Sequence, residues 1–248
     1  MSSLILNPHK PPYGAIQQFD SLGMMEMLYT PIITALWHQK HDMKGATMDS
    51  DPQSSAAPIT NIIGEKISFG PVRHDLLPLY LRWYNDFEVN RTRIFTWRPI
   101  TNEAAQTLYQ RISQEEGIGS ITFTLYERAT ARPIGLSYLF NIDYFSQTAE
   151  YGIVIGEKDC WGKGYGSEAT RLMLDFGFTG LSLHAIRLRT LSFNTRGIGA
   201  YRRAGFQEVG RWREAHRLGG RAYDVILMDC LASEFSSSVL STLVPDPE

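Results

Sequence analysis

This sequence predicts a mixed α/β fold: a central mixed sheet of about six to seven strands flanked on both faces by about four helices. Three observations carry that prediction. The apolar residues change period along the chain, alternating in some segments and recurring at i, i+3, i+4, i+7 in others. The resulting element order, β-α-α-β-β-β-α-β-α-β-β, is neither a run of βαβ units nor a pure succession of strands. The length of 248 residues, 43% of them hydrophobic and 12% aromatic, suits one substantial core with an appendage rather than two large domains.

Taken in order, residues 1–60 carry Pro8, Pro11, Pro12, Pro31, Pro52 and Pro58, and Asp49 to Pro58 reads as a Ser/Pro-rich linker. The expected division is therefore an N-terminal extension over 1–60, a folded domain over 61–232 and a C-terminal tail over 233–248. Within the extension, Phe19 to His38 reads as one or two short amphipathic helices, which either dock on the domain or serve a partner. A strand is predicted at 62–69. Asp75 to Tyr84 reads as a helix, and Thr101-Asn102-Glu103-Ala104 caps a second that runs to about Glu115, ended by Gly117 and Gly119. Strands follow at Ile121–Tyr126, Pro133–Asn141 and Ala149–Ile155, separated by turn-prone Arg128–Arg132 and Asp143–Gln147. After a glycine-rich segment, Ala169, Leu172, Met173 and Phe176 mark one buried helical stripe. A strand at 185–193, a short helix at 196–204 closed by Gly205, and a hairpin of strands at about 207–217 and 222–230 complete the domain. The hairpin turn, Gly219-Gly220, is a two-residue loop that needs positive φ.

Composition excludes several classes. The net charge of -2 argues against a dedicated nucleic-acid binder, and no apolar run approaches the ~20 residues needed to span a bilayer. The two cysteines, Cys160 and Cys230, have no metal-like spacing, and the N-terminus does not read as a signal peptide. The expectation is a cytoplasmic protein without a metal. Charge is unevenly spread, however: Lys158 to Arg221 holds 12 of the 24 Lys and Arg against five acids, about +7, leaving about -9 elsewhere. That half is suited to a polyanionic ligand, although solvated strand and helix faces would give the same count.

A strand leading into Gly162-Lys163-Gly164-Tyr165-Gly166-Ser167 and then a helix aims free backbone N–H groups and a positive helix-dipole end at an anion. Glycines let the anion approach the backbone closely. Two phosphate motifs fail here. A P-loop needs Ser or Thr after Gly-Lys, and Lys163 is followed by Gly164; a dinucleotide fingerprint needs a third Gly where Ser167 stands, and the next strand ends at Phe193-Asn194 without a ribose-binding acid.

The segment resembles instead the pyrophosphate loop of the GNAT N-acetyltransferases. Trp161 stands where that family usually has Gln or Arg, and Trp161-Gly162-Lys163-Gly164-Tyr165 followed by Glu168-Ala169 resembles the subgroup of ribosomal-protein N-terminal and spermidine acetyltransferases. A second stretch, Asn194 to Phe206 with Tyr201 before Gly205-Phe206, resembles the family's other signature. The resemblance covers roughly residues 62–231. It departs at Gly197 and Gly199, each costing a helix about 1 kcal/mol relative to Ala, so either a close approach requires them or the helix is adjustable.

What the resemblance implies is a GNAT fold with a mostly antiparallel sheet, acetyl-CoA as cosubstrate without a metal, and acetyl transfer to an amine in a ternary complex. The cofactor-binding residues it implies are Ile153, Val154, Ile155, Trp161, Gly162, Lys163, Gly164, Tyr165, Gly166, Ser167, Asn194, Arg196 and Tyr201. Tyr201 is expected as the general acid for the departing thiolate, and Asn194 as an orienting residue. Backbone N–H groups near Ile153 and Val154 are expected to polarise the thioester carbonyl. Lys163, Arg171, Arg196 and Arg203 are candidate phosphate contacts.

An acceptor of pKa ~10.4 costs about 4 to 5 kcal/mol to deprotonate at pH 7, whereas an α-amine near 7.8 costs about 1. Glu150 is the candidate base, acting directly or through water. Tyr84, Glu88, Trp97 and Tyr138, with Glu150, supply aromatics and acids for a cationic amine, although such sets also serve as core and rim packing. The expected acceptor is a small-molecule amine or a protein N-terminus, with no nucleic-acid or membrane partner, and a homodimer is compatible with the sequence. The alternative is a non-catalytic acyl-CoA sensor or scaffold, which would not need Tyr201.

Overall fold

In the computed structural model, residues 57–94, 98–114, 119–237 and 239–243 are described. Residues 49–56 of the expected linker, the Phe19–His38 helices, Trp97 and Gly117 lie outside them. Eight strands form one sheet in the order β1-β2-β3-β4-β5-β6-β8-β7. The segment expected as a single strand at 62–69 is instead a tight hairpin, β1 (Ile62–Ile63) and β2 (Ile67–Pro71), closed by Gly64 N donating to Ile67 O at 2.9 Å. Gly64 is pressed against the Glu168 carboxylate, so a side chain there has no room. The turn is set by a residue 104 positions away, which local propensity could not reveal.

The next strands are β3 (Ser120–Glu127), β4 (Arg132–Asp143) and β5 (Thr148–Ile155), antiparallel neighbours in sequence order. Asp143 organises the β4–β5 turn, its Oδ1 accepting from Phe145 N at 2.9 Å and Ser146 N at 3.0 Å. Then β6 (Ala185–Leu191) pairs antiparallel with β8 (Arg221–Leu231), which pairs with the edge strand β7 (Gln207–Leu218). The Gly219-Gly220 turn has φ of 56° and 77°, the positive values a two-residue hairpin demands.

Helices pack on both faces. On one face α1 (Leu77–Asn85) buries Tyr80 and Trp83 against Leu136 of β4. It is followed by the one-turn α2 (Phe87–Asn90), capped by Asp86, and by α3 (Asn102–Gln114), where Thr101 Oγ1 accepts from Ala104 N at 3.2 Å. On the other face lie α4 (Tyr165–Asp175) and α5 (Thr195–Ala204). The predicted stripe Ala169, Leu172, Met173 is buried there against Ile67, Leu125, Leu139 and Ile186, with Phe176 packed at its end. Residues beyond β8 also contribute: buried Asp175 accepts from Val239 N at 3.0 Å and Leu240 N at 3.3 Å, tying this segment to α4. Among the described residues no helix is long and apolar enough to cross a membrane, and no cluster of His, Cys, Asp and Glu could hold a metal ion.

Candidate active site

Among the described residues, strands β5 and β6 are the only parallel neighbours in the sheet, and they pair at just three positions, Thr148–Ala185, Ala149–Ile186 and Glu150–Arg187. Beyond Glu150 they diverge. The backbone of β5 from Tyr151 to Ile155 keeps its ladder to β4 but has no ladder partner on the β6 side. In an antiparallel ladder alternate N–H groups point away from the partner strand, so part of the Ile153–Ile155 backbone faces this opening.

The glycine segment closes the end of β5. Gly162 and Gly164 have φ of 79° and 89°, and Gly164 serves as N-cap of α4 without any side-chain cap, leaving first-turn N–H groups unengaged by side chains. A Cβ on Gly162 or Gly166 would meet no atom within 4 Å, so the loop is open on its outer side. Buried hydrogen bonds fix its position: Ser137 Oγ donates to Tyr151 Oη at 3.5 Å, Tyr151 Oη to Thr170 Oγ1 at 3.1 Å, and Thr170 Oγ1 to Gly166 O at 2.7 Å. This chain runs from β4 through β5 into the first turn of α4. Tyr165 turns outward and donates to Glu127 at 2.6 Å; that bond and burial push its phenol up to about 12.

Trp161 has a structural role on one side and a stacking role on the other. Its Nε1 donates to Ile155 O at 2.8 Å, and its ring lies beneath the Arg196 guanidinium at 4.2 Å. Loop and α5 thereby meet across the mouth of the opening. Arg203 adds a second link, Nε to Ser167 Oγ at 3.2 Å. Arg171, by contrast, points away from the loop, donating to Ser236 O at 2.9 Å and lying over Phe235.

Asn194 caps α5, its Oδ1 accepting from Gly197 N at 3.1 Å while Nδ2 donates to Thr190 Oγ1 at 3.0 Å. Tyr201 projects two turns along the same helix. Its ring stands edge-on to Tyr151 at 6.3 Å and to Phe206 at 6.1 Å, and its hydroxyl makes no hydrogen bond among the described residues. Burial, reinforced by the Tyr138 phenol, raises its pKa well above the usual range, so the group is a neutral donor at any physiological pH.

On the opposite face, Glu150 is engaged at both oxygens: Asn141 Nδ2 donates to one at 3.0 Å and Arg189 to the other at 3.1 Å. Tyr138 lies across Gly152, where a side chain would collide with its ring. Of the expected acceptor residues, Glu88 is held by Lys158 at 2.6 Å, which also holds Asp86 at 2.8 Å, and Tyr84 lies under Arg93 at 4.9 Å. Trp97 falls outside the described residues. The structure thus gathers the loop, Trp161, Arg196, Asn194, Tyr201 and β5 around one opening. Lys66, in the turn between β1 and β2, brings its Nζ beside Gly164 of the loop, and no sequence pattern marks it.

The comparisons agree with this fold. A family model described as an acetyltransferase (GNAT) domain matches residues 67–207. The chain is 30% identical over 157 residues to an uncharacterized N-acetyltransferase, p20, of Bacillus licheniformis, covering 62% of this chain and 86% of that protein. It is 29% identical over 155 residues to the spermidine N(1)-acetyltransferase of Vibrio cholerae, covering 62% and 89%. The crystal structure of spermidine N-acetyltransferase from Vibrio cholerae in complex with CoA and spermine has the same fold, with a TM-score of 0.62 at 24% identity over 68% of this chain and 97% of that one. A match spanning more than half the chain, carried by a relative covered along most of its length, establishes that this chain belongs to the GNAT acetyltransferase family.

Proposed function

We propose that the protein seats acetyl-CoA in the opening between β5 and β6, with its diphosphate on the Gly162–Ser167 loop, and transfers the acetyl group directly to an amine arriving from the Glu150 face. The observation that carries this is the hydroxyl of Tyr201, on a ring held by aromatic packing against Tyr151 and Phe206 and engaged in no hydrogen bond among the described residues. A neutral phenol there can protonate the departing thiolate. The backbone N–H of Ile153, which the alternation along β5 turns to the opening, polarises the thioester carbonyl, and Asn194 acts by fixing the helix that carries Tyr201 rather than by touching the ligand with a free polar group.

Glu150 receives the amine's proton through a water, because Asn141 and Arg189 already occupy one acceptor site on each oxygen while further lone pairs remain. The same engagement bears on the acceptor. One relative named above is a spermidine N(1)-acetyltransferase, but a polycation entering here must compete with Lys158 for Glu88 and with Arg189 for Glu150. An acceptor that needs little help in losing its proton, such as an α-amine near pKa 7.8, fits an encumbered base better than one near 10.4. Small-molecule amines with lowered pKa and protein N-termini are both in this class. Buried Cys160 and Cys230, unpaired as thiols, suit a reducing compartment such as the cytoplasm.

The test is a thermal shift with acetyl-CoA, NAD and ATP at equal concentration, followed by thiol release against pooled polyamines, amino compounds and peptides. Acetyl-CoA alone should stabilise, and at least one pool should release thiol. Stabilisation without thiol release from any pool would favour an acyl-CoA sensor.

A further inference from the structure

The β1–β2 turn is held against the first turn of α4 more firmly than a surface hairpin requires. Lys66 N donates to Glu168 Oε1 at 2.9 Å, Arg128 N donates to Lys66 O at 2.8 Å, and Gly64 is packed so closely on Glu168 and Leu172 that no side chain fits. Both main-chain groups of Lys66 are thereby fixed relative to the glycine loop. Its side chain crosses toward that loop, and Nζ lies 3.4 Å from the point where a Cβ on Gly164 would stand. Among the described residues this ammonium forms no ion pair, although Glu65 and Glu127 line the same cleft of about 550 Å³ together with Arg128, Lys163 and Tyr165.

A bare ammonium beside an uncapped helix N-terminus is electrostatically unfavourable unless an anion lies between them, since both present positive charge. Among the described residues, Glu127 is turned to Tyr165 and Thr130, Glu168 is spent on the Lys66 backbone, and Glu65, although it lines the cleft, forms no ion pair with Lys66. We propose that Lys66 is a phosphate-binding residue, closing the outer side of the glycine loop on the diphosphate of the cosubstrate, with Glu168 as the residue that positions it. This rests on the acetyl-CoA reading above and adds to it a cation from a turn about 100 residues before the loop.

The experiment measures dissociation constants of CoA and of pantetheine, the arm without phosphates, for the full chain and for Lys66→Met and Lys66→Arg. Wild type should bind CoA more tightly than pantetheine. In Lys66→Met the CoA affinity should fall about tenfold, as loss of one charge-assisted hydrogen bond implies, with pantetheine unchanged. The salt dependence of CoA binding should also weaken, and Lys66→Arg should keep most of the affinity. Equal discrimination by Lys66→Met and wild type, or an equal loss for both ligands, overturns the role of Lys66. A wild type that binds the two ligands alike instead overturns the diphosphate reading of the loop, and the proposal with it.

Discussion

The side chain of Asn194 occupies the space that a Cβ on Gly197 would need, its Cγ lying 2.7 Å from that point while its Oδ1 accepts from Gly197 N. The two glycines of α5 therefore have different causes. At Gly197 a close approach requires the glycine; at Gly199 the nearest atom is the flexible Arg203 Nη1 at 3.4 Å, and nothing requires it.

Gly197→Ala should displace the Asn194 cap and cost about 1 kcal/mol or more, outweighing the helix-propensity gain, whereas Gly199→Ala should stabilise the free protein by about 0.5–1 kcal/mol. Urea unfolding of the two variants checks this. Equal changes of the same sign would mean that the cap does not control α5.

Gly164 has φ of 89° and faces Lys66 Nζ. An aspartate there adds backbone strain of about 1–2 kcal/mol and places a carboxylate where the diphosphate is to lie. Gly164→Asp should abolish the thermal shift produced by acetyl-CoA at concentrations that saturate wild type. An undiminished shift would move the cosubstrate away from this loop.

Much of this was legible beforehand, and the failures share one cause. Periodicity and turn chemistry located β3 to β8 and both α4 and α5, because those features are local: an alternating strand, a glycine pair with positive φ, a stripe at helical spacing. The break at Gly64, the one-turn α2, the divergence of β5 from β6 and the pairing of Glu88 and Glu150 with Lys158 and Arg189 depend on contacts between distant residues. Glu150 looked free in sequence because Arg189 is 39 positions away. Arg171 looked available for a phosphate because nothing in its helix reveals that Phe235 and Ser236 return to meet it.

Burial pushes the Tyr80 phenol up to about 12, its hydroxyl lying 2.6 Å from Thr124 Oγ1. Tyr151 is raised further, again chiefly by burial. A raised phenol pKa means that the folded state holds the proton more tightly, so this stabilisation is complete below the unfolded pKa of about 10 and is lost as pH climbs through the folded value. Unfolding free energy should fall above pH 10 by up to about 1.4 kcal/mol per pH unit for each such group. Tyr80→Phe should flatten that slope in urea titrations between pH 9 and 11.5; an unchanged slope would contradict the assignment.

Glu150→Gln keeps the shape of the side chain but removes the proton acceptor. The pH–rate profile of kcat/KM should shift upward, because the amine must then lose its proton unaided, and the loss at pH 7 should be larger for an acceptor near pKa 10.4 than for an α-amine. Superimposable profiles would leave Glu150 as a partner of Arg189 and Asn141 without a part in proton transfer.

The account turns on whether the hydroxyl of Tyr201 does chemistry. Tyr201→Phe removes that hydroxyl and leaves the ring packed against Tyr151 and Phe206, so affinity for acetyl-CoA should change by less than about 1 kcal/mol. The decisive measurement is single-turnover acetyl transfer by this variant with a confirmed acceptor, alongside its acetyl-CoA dissociation constant. A fall in rate of about 10² to 10⁴ with binding retained is the predicted result; a rate near that of wild type would contradict it, and the proton for the thiolate would have to come from water or another group.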